Sequence, residues 1–293
     1  MTNQNIKTPL IPLFKKFIWE TEKGKRLQKN GKSISKSTLS NYRALLSNLI
    51  KYEDSFKDVI WVNTRYKYLK RNFLSERKAH QKFYKQFTDM LYNKSCTDNY
   101  VGMLIKTLRT FYAYLNQVKG FVTGGFYKDF HAIKEEIPII VLSQDYLRKL
   151  LSDEPFHERL SAEFQISKDI FVVGCTIGLR FSDIIKLTNK NWQLQGDNHY
   201  IVTKSQKTKT ETRIKIPNHI VYILNKYKNN QKTLLPKVTL AKFNGDLKQL
   251  CFMTGWDYEV GKIEYKKNYF LKFNPSLQNL PIKNLTSFCC YLI

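Results

Sequence analysis

Arg180 occupies a position where an arginine could bind a phosphate. Gly178 can end one predicted helix, because glycine tolerates the left-handed backbone that such an end requires, and Ser182 can cap the next helix. Arg180 would then lie in the turn, where its guanidinium fork and the free amides of a helix start could meet one phosphate. Asp183, in the first turn of the second helix, suits the positive helix end and could steady Arg180. The alternative is an arginine–carboxylate pair that only fixes two helices.

Lysines surround a predicted turn soon after this segment. Residues 200–217 follow a pattern typical of a β-hairpin, with its turn at residues 205–210. Lys204, Lys207 and Lys209 would lie at or beside this turn. The usual state of such lysines is a solvated hairpin tip, so the pattern alone assigns them no role.

Two predicted helices of the first half carry basic residues beside their apolar stripes. A polar stretch that reads as a loop, Lys23 to Lys36, precedes the first helix, which begins with Ser37 or Thr38 as its cap, and the second follows Thr97. Solvation of exposed faces explains such residues, and phosphate binding explains them equally well in a strongly basic chain. The candidates for binding are Lys36, Thr38, Arg43, Lys106 and Arg109.

The composition indicates a folded protein with a polyanionic partner. Among 293 residues, 49 Lys and Arg exceed 24 Asp and Glu by 25, and a hydrophobic fraction of 42% argues against disorder. Residues 1–137 carry 26 basic and 11 acidic residues, and residues 138–293 carry 23 and 13, so the excess of +15 and +10 is spread over both halves. This distribution excludes a single basic tail. It favours nucleic acid as the partner, ahead of an anionic membrane surface.

Cysteine and histidine are scattered rather than clustered. No Cys-x-x-Cys occurs, and the five histidines lack the spacing of zinc ligands, so we expect neither metal nor cofactor. No window is apolar enough to span a membrane, and the first residues do not form a signal peptide. Reduced thiols in a cytoplasmic protein are the expected state of Cys96, Cys175, Cys251, Cys289 and Cys290.

The scaffold that must position these side chains is predicted to be mainly α-helical. Helices are predicted over 10–22, 164–176, 218–227 and 240–254, with Asn218 capping the third of these, and short strands lie near 192–194, 200–202 and 212–216. A break at Gly124, Gly125 and Pro138 interrupts the pattern. We therefore expect a helical domain over residues 1–125, a linker over 126–138, and a domain over 139–293 with a small antiparallel sheet.

The segment around Arg180 and the predicted hairpin of residues 200–217 together resemble the tyrosine recombinase, or phage-type integrase, family. That family carries a Thr-Gly-Leu-Arg-x-Ser-Glu/Asp motif with a Leu four residues on, which residues 176–183 and Leu187 match with Ile177 inserted. The family's following hairpin carries a lysine often placed before Thr, as in Lys207-Thr208, ahead of a strand that ends in Ile-Pro, as at Ile216-Pro217. The helical first part resembles the family's SAM-like core-binding domain, and the resemblance covers residues 9 to 287.

This resemblance implies a role for each matched residue. Arg180 would be the first catalytic arginine, which stabilises charge on the reacting phosphate, and Lys207 would protonate the leaving 5′ oxygen, with Lys204 and Lys209 as competitors. Asp183 would support Arg180. The family's reaction joins a tyrosine to the 3′ phosphate of cleaved DNA and needs neither metal nor cofactor. The implied partners are double-stranded DNA and other recombinase protomers bound to it, in DNA integration and recombination by a mobile element in the cytoplasm.

The sequence departs from the family near its last residue. No His-x-x-Arg motif occurs among the 293 residues, although residues 284–287 look like the family's lead-in to it. We therefore expect a chain truncated or frameshifted before the second catalytic arginine and the nucleophilic tyrosine, with cleavage lost. No nucleophile is assigned, and nothing marks Tyr291 as one. The alternatives are a catalytically dead DNA-binding remnant that competes for recombination sites, and an unrelated basic protein that binds RNA or an anionic membrane.

Overall fold

The computed structural model describes most of the chain and divides it into two compact units. The residues described are 7–28, 30–63, 70–121, 123, 125–134, 144–152, 154–205, 210–228, 232–254, 262–266 and 269–274. One unit is drawn from Met1–Glu136 and Ile263–Lys272, the other from Ile137–Lys262 and Phe273–Ile293. Each unit has its own hydrophobic core.

Within the described ranges, the first unit is built mainly from four long helices. These are α1 (Leu10–Glu22), α2 (Lys36–Phe56), α3 (Lys70–Asn93) and α4 (Asp98–Gln117), followed by a 3-10 turn, Phe126–Asp129. Strand β1 (Lys7–Pro9) pairs antiparallel with β2 (Trp61–Asn63). Helix α1 has the predicted bounds. Helix α3 is not among the predicted helices, although Phe83, Phe87 and Leu91 recur on its buried side at helical spacing.

Aromatic side chains form the centre of the first core. Phe14 and Phe17 of α1 meet Phe111 of α4 edge to face, with ring centroids 4.7 and 5.0 Å apart, and burial of each such ring stabilises the fold by about 1.5–3 kcal/mol. Tyr127 and Phe130 belong to the same core. Helical packing therefore continues beyond residue 125, into the range 126–138 where the sequence predicted a linker.

The cap of helix α2 lies two residues before the earlier of its two predicted positions. The side chain of Ser35 accepts the backbone N–H of Thr38 at 3.2 Å, while Ser35 itself keeps an extended backbone. The prediction of Ser37 or Thr38 as the cap was therefore wrong. Both residues already have helical geometry, and a cap must lie outside the helix so that its side chain can turn back to an amide.

Helix α4 touches the chain that follows it through a glycine. A Cβ placed on Gly102 would lie 1.9 Å from the carbonyl oxygen of Ile133. The segment 131–134 can rest on α4 at this distance only because no side chain stands between them.

The second unit combines six helices with a three-stranded sheet in the part of the chain described. The helices are α5 (Gln144–Ser152), α6 (Glu154–Glu158), α7 (Ala162–Ile177), α8 (Phe181–Ile184), α9 (Asn218–Tyr227) and α10 (Leu240–Met253). Strands β3 (Trp192–Gln195), β4 (Asn198–Lys204) and β5 (Glu211–Ile216) are antiparallel in that order. The predicted fold class, mainly helical with a small antiparallel sheet, is confirmed. Pro217 rather than Asn218 is the cap residue of α9, because Asn218 already lies in the helix.

Helix α7 is the central element of the second unit. All residues from Ser167 to Cys175 are buried, so the helix has no solvent face over this stretch. The carboxylate of Asp169 accepts the phenol of Tyr227 at 2.7 Å and the ammonium of Lys226 at 3.1 Å, which fastens α7 to α9. Burial and this carboxylate raise the pKa of Tyr227, so the phenol remains a hydrogen-bond donor at neutral pH. Ser167 donates to Asp246 of α10.

A last two-stranded sheet, formed by β6 (Lys262–Lys266) and β7 (Tyr269–Asn274), completes the described chain. No described helix is long and apolar enough to cross a membrane. Among the same residues, no three side chains of His, Cys, Asp or Glu are grouped so as to hold a metal ion.

Candidate functional site

The turn between α7 and α8 places Arg180 at the surface. Gly178 ends α7 in the left-handed conformation, with φ of 66°, and donates its N–H to the carbonyl of Gly174 at 3.0 Å. Arg180 is exposed and is the last extended residue before α8. The prediction that Ser182 caps α8 was therefore wrong: Ser182 lies within the helix, and the carbonyl of Arg180 accepts the N–H groups of Asp183 and Ile184 at 2.8 and 3.0 Å.

One hydrogen bond joins Arg180 to the turn between β4 and β5. The guanidinium NH1 donates to the hydroxyl of Ser205 at 3.1 Å. Ser205 directly follows β4, is 9% exposed, and donates its own N–H to the carbonyl of Thr210 at 2.9 Å, which closes the base of the turn. The structure therefore brings the first candidate segment into contact with the second, about 25 residues further along the chain.

The lysines of the turn differ in what the structure shows of them. Lys204 is the last residue of β4, pairs in register with Glu211, and is exposed. Lys207 and Lys209 lie outside the described residues. The assignment of Lys207 as the catalytic lysine therefore stays a prediction.

Asp183 lies in the first turn of α8, as the sequence predicted, and is buried with 5% of its surface exposed. The short helix packs on α10, since Phe181 stacks on Phe243 with ring centroids 4.6 Å apart. The backbone that carries Arg180 is thus fixed by α7 before it and by α8 after it.

The predicted phosphate ligands on α2 have separate surroundings. Lys36 is the first residue of α2 and is exposed. Thr38 lies 2.9 Å from Ser35 through their hydroxyl oxygens, so it belongs to the cap of the helix. The guanidinium of Arg43 donates to the carboxylate of Glu22 at 2.8 Å, although its side chain is still 62% exposed. Lys36 and Arg43 thus remain accessible to an anion.

The two candidates on α4 differ from each other. Lys106 is exposed, whereas Arg109 is half-buried and donates to the carbonyl of Phe130 at 3.5 Å. Arg109 therefore ties α4 to the chain that follows the 3-10 turn. Lys106 is the residue of this pair that faces solvent.

Ser205 is the residue that sequence reasoning missed. A serine after a strand is ordinary in a turn, and no local pattern marks it as the acceptor of a distant arginine. Its role depends on the antiparallel sheet, whose register is set by pairs such as Ile201 with Ile214.

Comparison with known proteins identifies the fold. No protein-family model matches the sequence, and no curated protein does. The chain is similar to the solved Tn1549 transposon integrase (residues 82–397) in complex with transposon right end DNA, at 13% identity and a TM-score of 0.57, over 96% of this chain and 85% of that one. The same integrase with circular intermediate DNA gives a TM-score of 0.55 at 13% identity, over 96% and 86%.

A solved lambda integrase (residues 75–356) bound to DNA is also similar, at 15% identity and a TM-score of 0.47, over 84% of each chain. At 13% identity, the TM-scores of 0.55 and 0.57 to the Tn1549 integrase establish a common fold and nothing more. The resemblance to tyrosine recombinases predicted from the sequence is confirmed at that level: the chain has the fold of the Tn1549 transposon integrase.

Proposed function

We propose that the chain is a DNA-binding protein of the integrase type, which acts on double-stranded DNA at the recombination sites of a mobile element. The observation that carries the proposal is the hydrogen bond from Arg180 to Ser205. It assembles an exposed arginine and the base of a lysine-bearing turn in a chain of net charge +25. The solved Tn1549 integrase of the same fold is held in complex with transposon DNA, which supports the same partner here.

Arg180 suits the binding of a backbone phosphate. One N–H of its guanidinium donates to Ser205, and the fork has five N–H donors in all, so further donors are left for phosphate oxygens. The bond to Ser205 holds the side chain in place before DNA arrives. Arg180 would therefore bind a phosphate without first losing conformational freedom.

Lys207 is proposed to reach the same phosphate. It follows Ser205 by two residues, which limits the backbone between them to about 7 Å. Its flexible ammonium could then contact an oxygen that Arg180 does not. In the family reaction this lysine protonates the leaving 5′ oxygen, and Asp183 would steady the arginine from α8.

Strand cleavage needs groups that the described residues do not supply. The reaction requires a second arginine and a tyrosine nucleophile, and no His-x-x-Arg occurs among the 293 residues. We therefore propose DNA binding as the function that these residues carry themselves, with other recombinase protomers on the same DNA as partners. The cytoplasm is the proposed compartment, which the scattered cysteines and the lack of any Cys-x-x-Cys in the sequence support.

The binding proposal is tested by titrating duplex DNA at several salt concentrations. We expect log affinity to fall with log salt, since each neutralised phosphate releases counterions. Arg180→Ala should weaken binding about tenfold or more and lower the slope by about 0.9, because one charged contact is lost. Arg148→Ala is the matched control: it removes one arginine from the same unit, 72% exposed and paired with Asp145. Equal effects of the two variants, or a flat salt dependence, would contradict the proposal.

Cleavage is tested on a nicked duplex that traps a covalent intermediate. We expect no protein–DNA adduct on a denaturing gel. An adduct that one Tyr→Phe change abolishes would show that the chain contains its own nucleophile, and would extend the proposed function from binding to catalysis.

A further inference from the structure

The stretch around the start of α2 contains basic residues and no acidic ones. Residues 23–52 contain eight Lys and Arg and no Asp or Glu. The first part of it was predicted to be a loop. The residues described there are a loop up to the start of α2, and one isolated bridge with several hydrogen bonds holds the loop in a defined shape.

Backbone bonds close residues 26–33 into a small hairpin, described except for Lys29. Leu27 and Ser33 form an antiparallel bridge. The N–H of Gln28 donates to the carbonyl of Lys32 at 2.8 Å, and its side-chain amide donates to the carbonyl of Ser33 at 2.9 Å. At the tip, the N–H of Lys32 donates to the side-chain oxygen of Asn30 at 3.1 Å. We call residues 24–34 the basic hairpin.

Arg26 fastens the basic hairpin to the helical core. Its guanidinium lies over the ring of Phe17, 3.5 Å from the centroid, and over the ring of Tyr114 at 4.6 Å. It also donates to the hydroxyl of Thr21 at 2.7 Å. An arginine that lies against two rings and has a hydrogen bond at its end is strongly oriented. Arg26 is thus engaged with the protein and sets the position of the hairpin.

The two acids that precede the hairpin, Glu20 and Glu22, have partners outside it. Glu22 accepts the guanidinium of Arg43 at 2.8 Å. Glu20 accepts the phenol of Tyr114, and it accepts the ammonium of Lys119 at 3.0 Å. These hydrogen bonds lower the pKa of Glu20, so the carboxylate stays ionised and paired within the core. Its negative charge is therefore compensated locally. The lysines of the hairpin keep theirs.

Lys25 and Lys32 expose the positive charge of the hairpin to solvent. Both are exposed. Lys25 lies over the ring of Trp19, 4.5 Å from the centroid, which holds its side chain along the surface. Lys32 is at the turn of the hairpin, and Lys36 follows directly at the start of α2. All three lysines are exposed, and Lys36 is also one of the predicted DNA-binding residues of α2.

We propose that the basic hairpin is an arm that binds the phosphate backbone of duplex DNA through Lys25 and Lys32, with Arg26 as its positioning residue. This inference rests on the proposed DNA-binding function. A rigid arm binds phosphates with a smaller loss of conformational entropy than free lysine-rich loops do. The arm adds two backbone contacts, which strengthen binding to any sequence alike.

The contact lysines are tested against a lysine at the other end of α4. Lys94→Ala is the control: Lys94 is exposed and lies before α4, whereas Tyr114 and the hairpin lie near its last turn, about 24 Å away at 1.5 Å per residue. We expect the double variant K25A/K32A to lower the slope of log affinity against log salt by about 1.8, and Lys94→Ala to leave it unchanged.

The positioning role of Arg26 is tested by the conservative variant Arg26→Lys, which keeps the charge and loses the planar stack. We expect amide hydrogen exchange across residues 24–34 to rise about tenfold or more, with exchange in α4 unchanged, and DNA affinity to fall as in K25A/K32A. An Arg26→Lys protein with wild-type affinity and exchange would overturn the positioning role.

The outcomes distinguish a failure of the proposed arm from a failure of the proposed DNA-binding function. If the wild type binds duplex DNA and K25A/K32A behaves as Lys94→Ala does, the arm is wrong while the proposed function stands. If the wild type does not bind duplex DNA at any salt concentration, both fall.

Discussion

Asp169→Asn removes the charge that holds α7 in place while it keeps the shape of the side chain. In the wild type, the carboxylate of Asp169 contacts Lys168 at 3.3 Å, Lys226 at 3.1 Å and the phenol of Tyr227 at 2.7 Å. The asparagine can still accept the phenol. The two ammonium groups lose their counter-charge, and their exposure decides the cost.

The cost follows mainly from Lys168. Its side chain is 10% exposed, so its charge would be left buried without its counter-charge, whereas Lys226 is 43% exposed and can turn to water. Removal of one partner of a buried pair costs about 3–5 kcal/mol, and an exposed pair contributes about 1 kcal/mol or less. His157 Nε2 lies 3.2 Å from the same ammonium, but it donates to the carbonyl of Leu150 at 2.8 Å and so cannot replace the carboxylate as an acceptor. We therefore expect a destabilisation of about 3 kcal/mol.

Amide hydrogen exchange of the intact chain measures the destabilisation by Asp169→Asn within α7. A loss of about 3 kcal/mol raises the exchange rate of protected amides in α7 more than a hundredfold, with α4 of the first unit as the internal reference. Tyr227→Phe is the matched control, since it removes one hydrogen bond and strands no charge, and it should cost about 1–2 kcal/mol.

A second substitution tests whether the unpaired ammonium of Lys168 causes the loss of stability in Asp169→Asn. Lys168→Met in the Asp169→Asn background removes the ammonium and keeps the apolar stem, so most of the protection should return. Exchange in α7 within threefold of the wild type for Asp169→Asn, or no recovery in the double variant, would refute the reasoning.

Three further predictions concern single positions. Gly102→Ala should destabilise the first unit by about 1–3 kcal/mol or more, because its Cβ would meet the carbonyl of Ile133, and urea denaturation with circular dichroism measures this. Burial lowers the pKa of His80, so its neutral form contributes stability that is present above the unfolded value near 6.5 and is lost as pH falls below it. The protection of α3 amides, measured as exchange relative to the intrinsic rate at each pH, should fall from pH 7 to 5 in the wild type and fall less in His80→Phe. Ser205→Ala should weaken duplex binding about threefold, less than Arg180→Ala does, because the acceptor only orients the arginine; an equal loss would contradict this.

Local sequence signals predicted the elements better than their junctions. Helix α1 has the predicted bounds and helix α9 ends at Tyr227 as predicted, because buried apolar stripes mark these limits. The start of α9 follows Pro217, one residue before the predicted cap. The caps were less predictable, since Ser35, Ser37 and Thr38 are chemically similar and only backbone geometry selects Ser35.

Contacts between distant segments could not be predicted from periodicity. The turn that carries Arg180 follows from Gly178, a local signal. Its bond to Ser205 depends on how the sheet packs beside α7, and the stacking of Arg26 on Phe17 and Tyr114 joins α1 to the end of α4. Both are products of tertiary packing.

The buried helix α7 and the exposed turn that follows it are under different evolutionary constraints. From Ser167 to Cys175 every position is surrounded by protein, so a substitution there is judged by whether the molecule folds. Five residues beyond Cys175, Arg180 is exposed, and on the proposed function a substitution there changes DNA binding rather than folding. A lineage that no longer needs to bind DNA would then lose Arg180 while it retains α7. On that proposal, the residue at position 180 records whether DNA binding is still under selection.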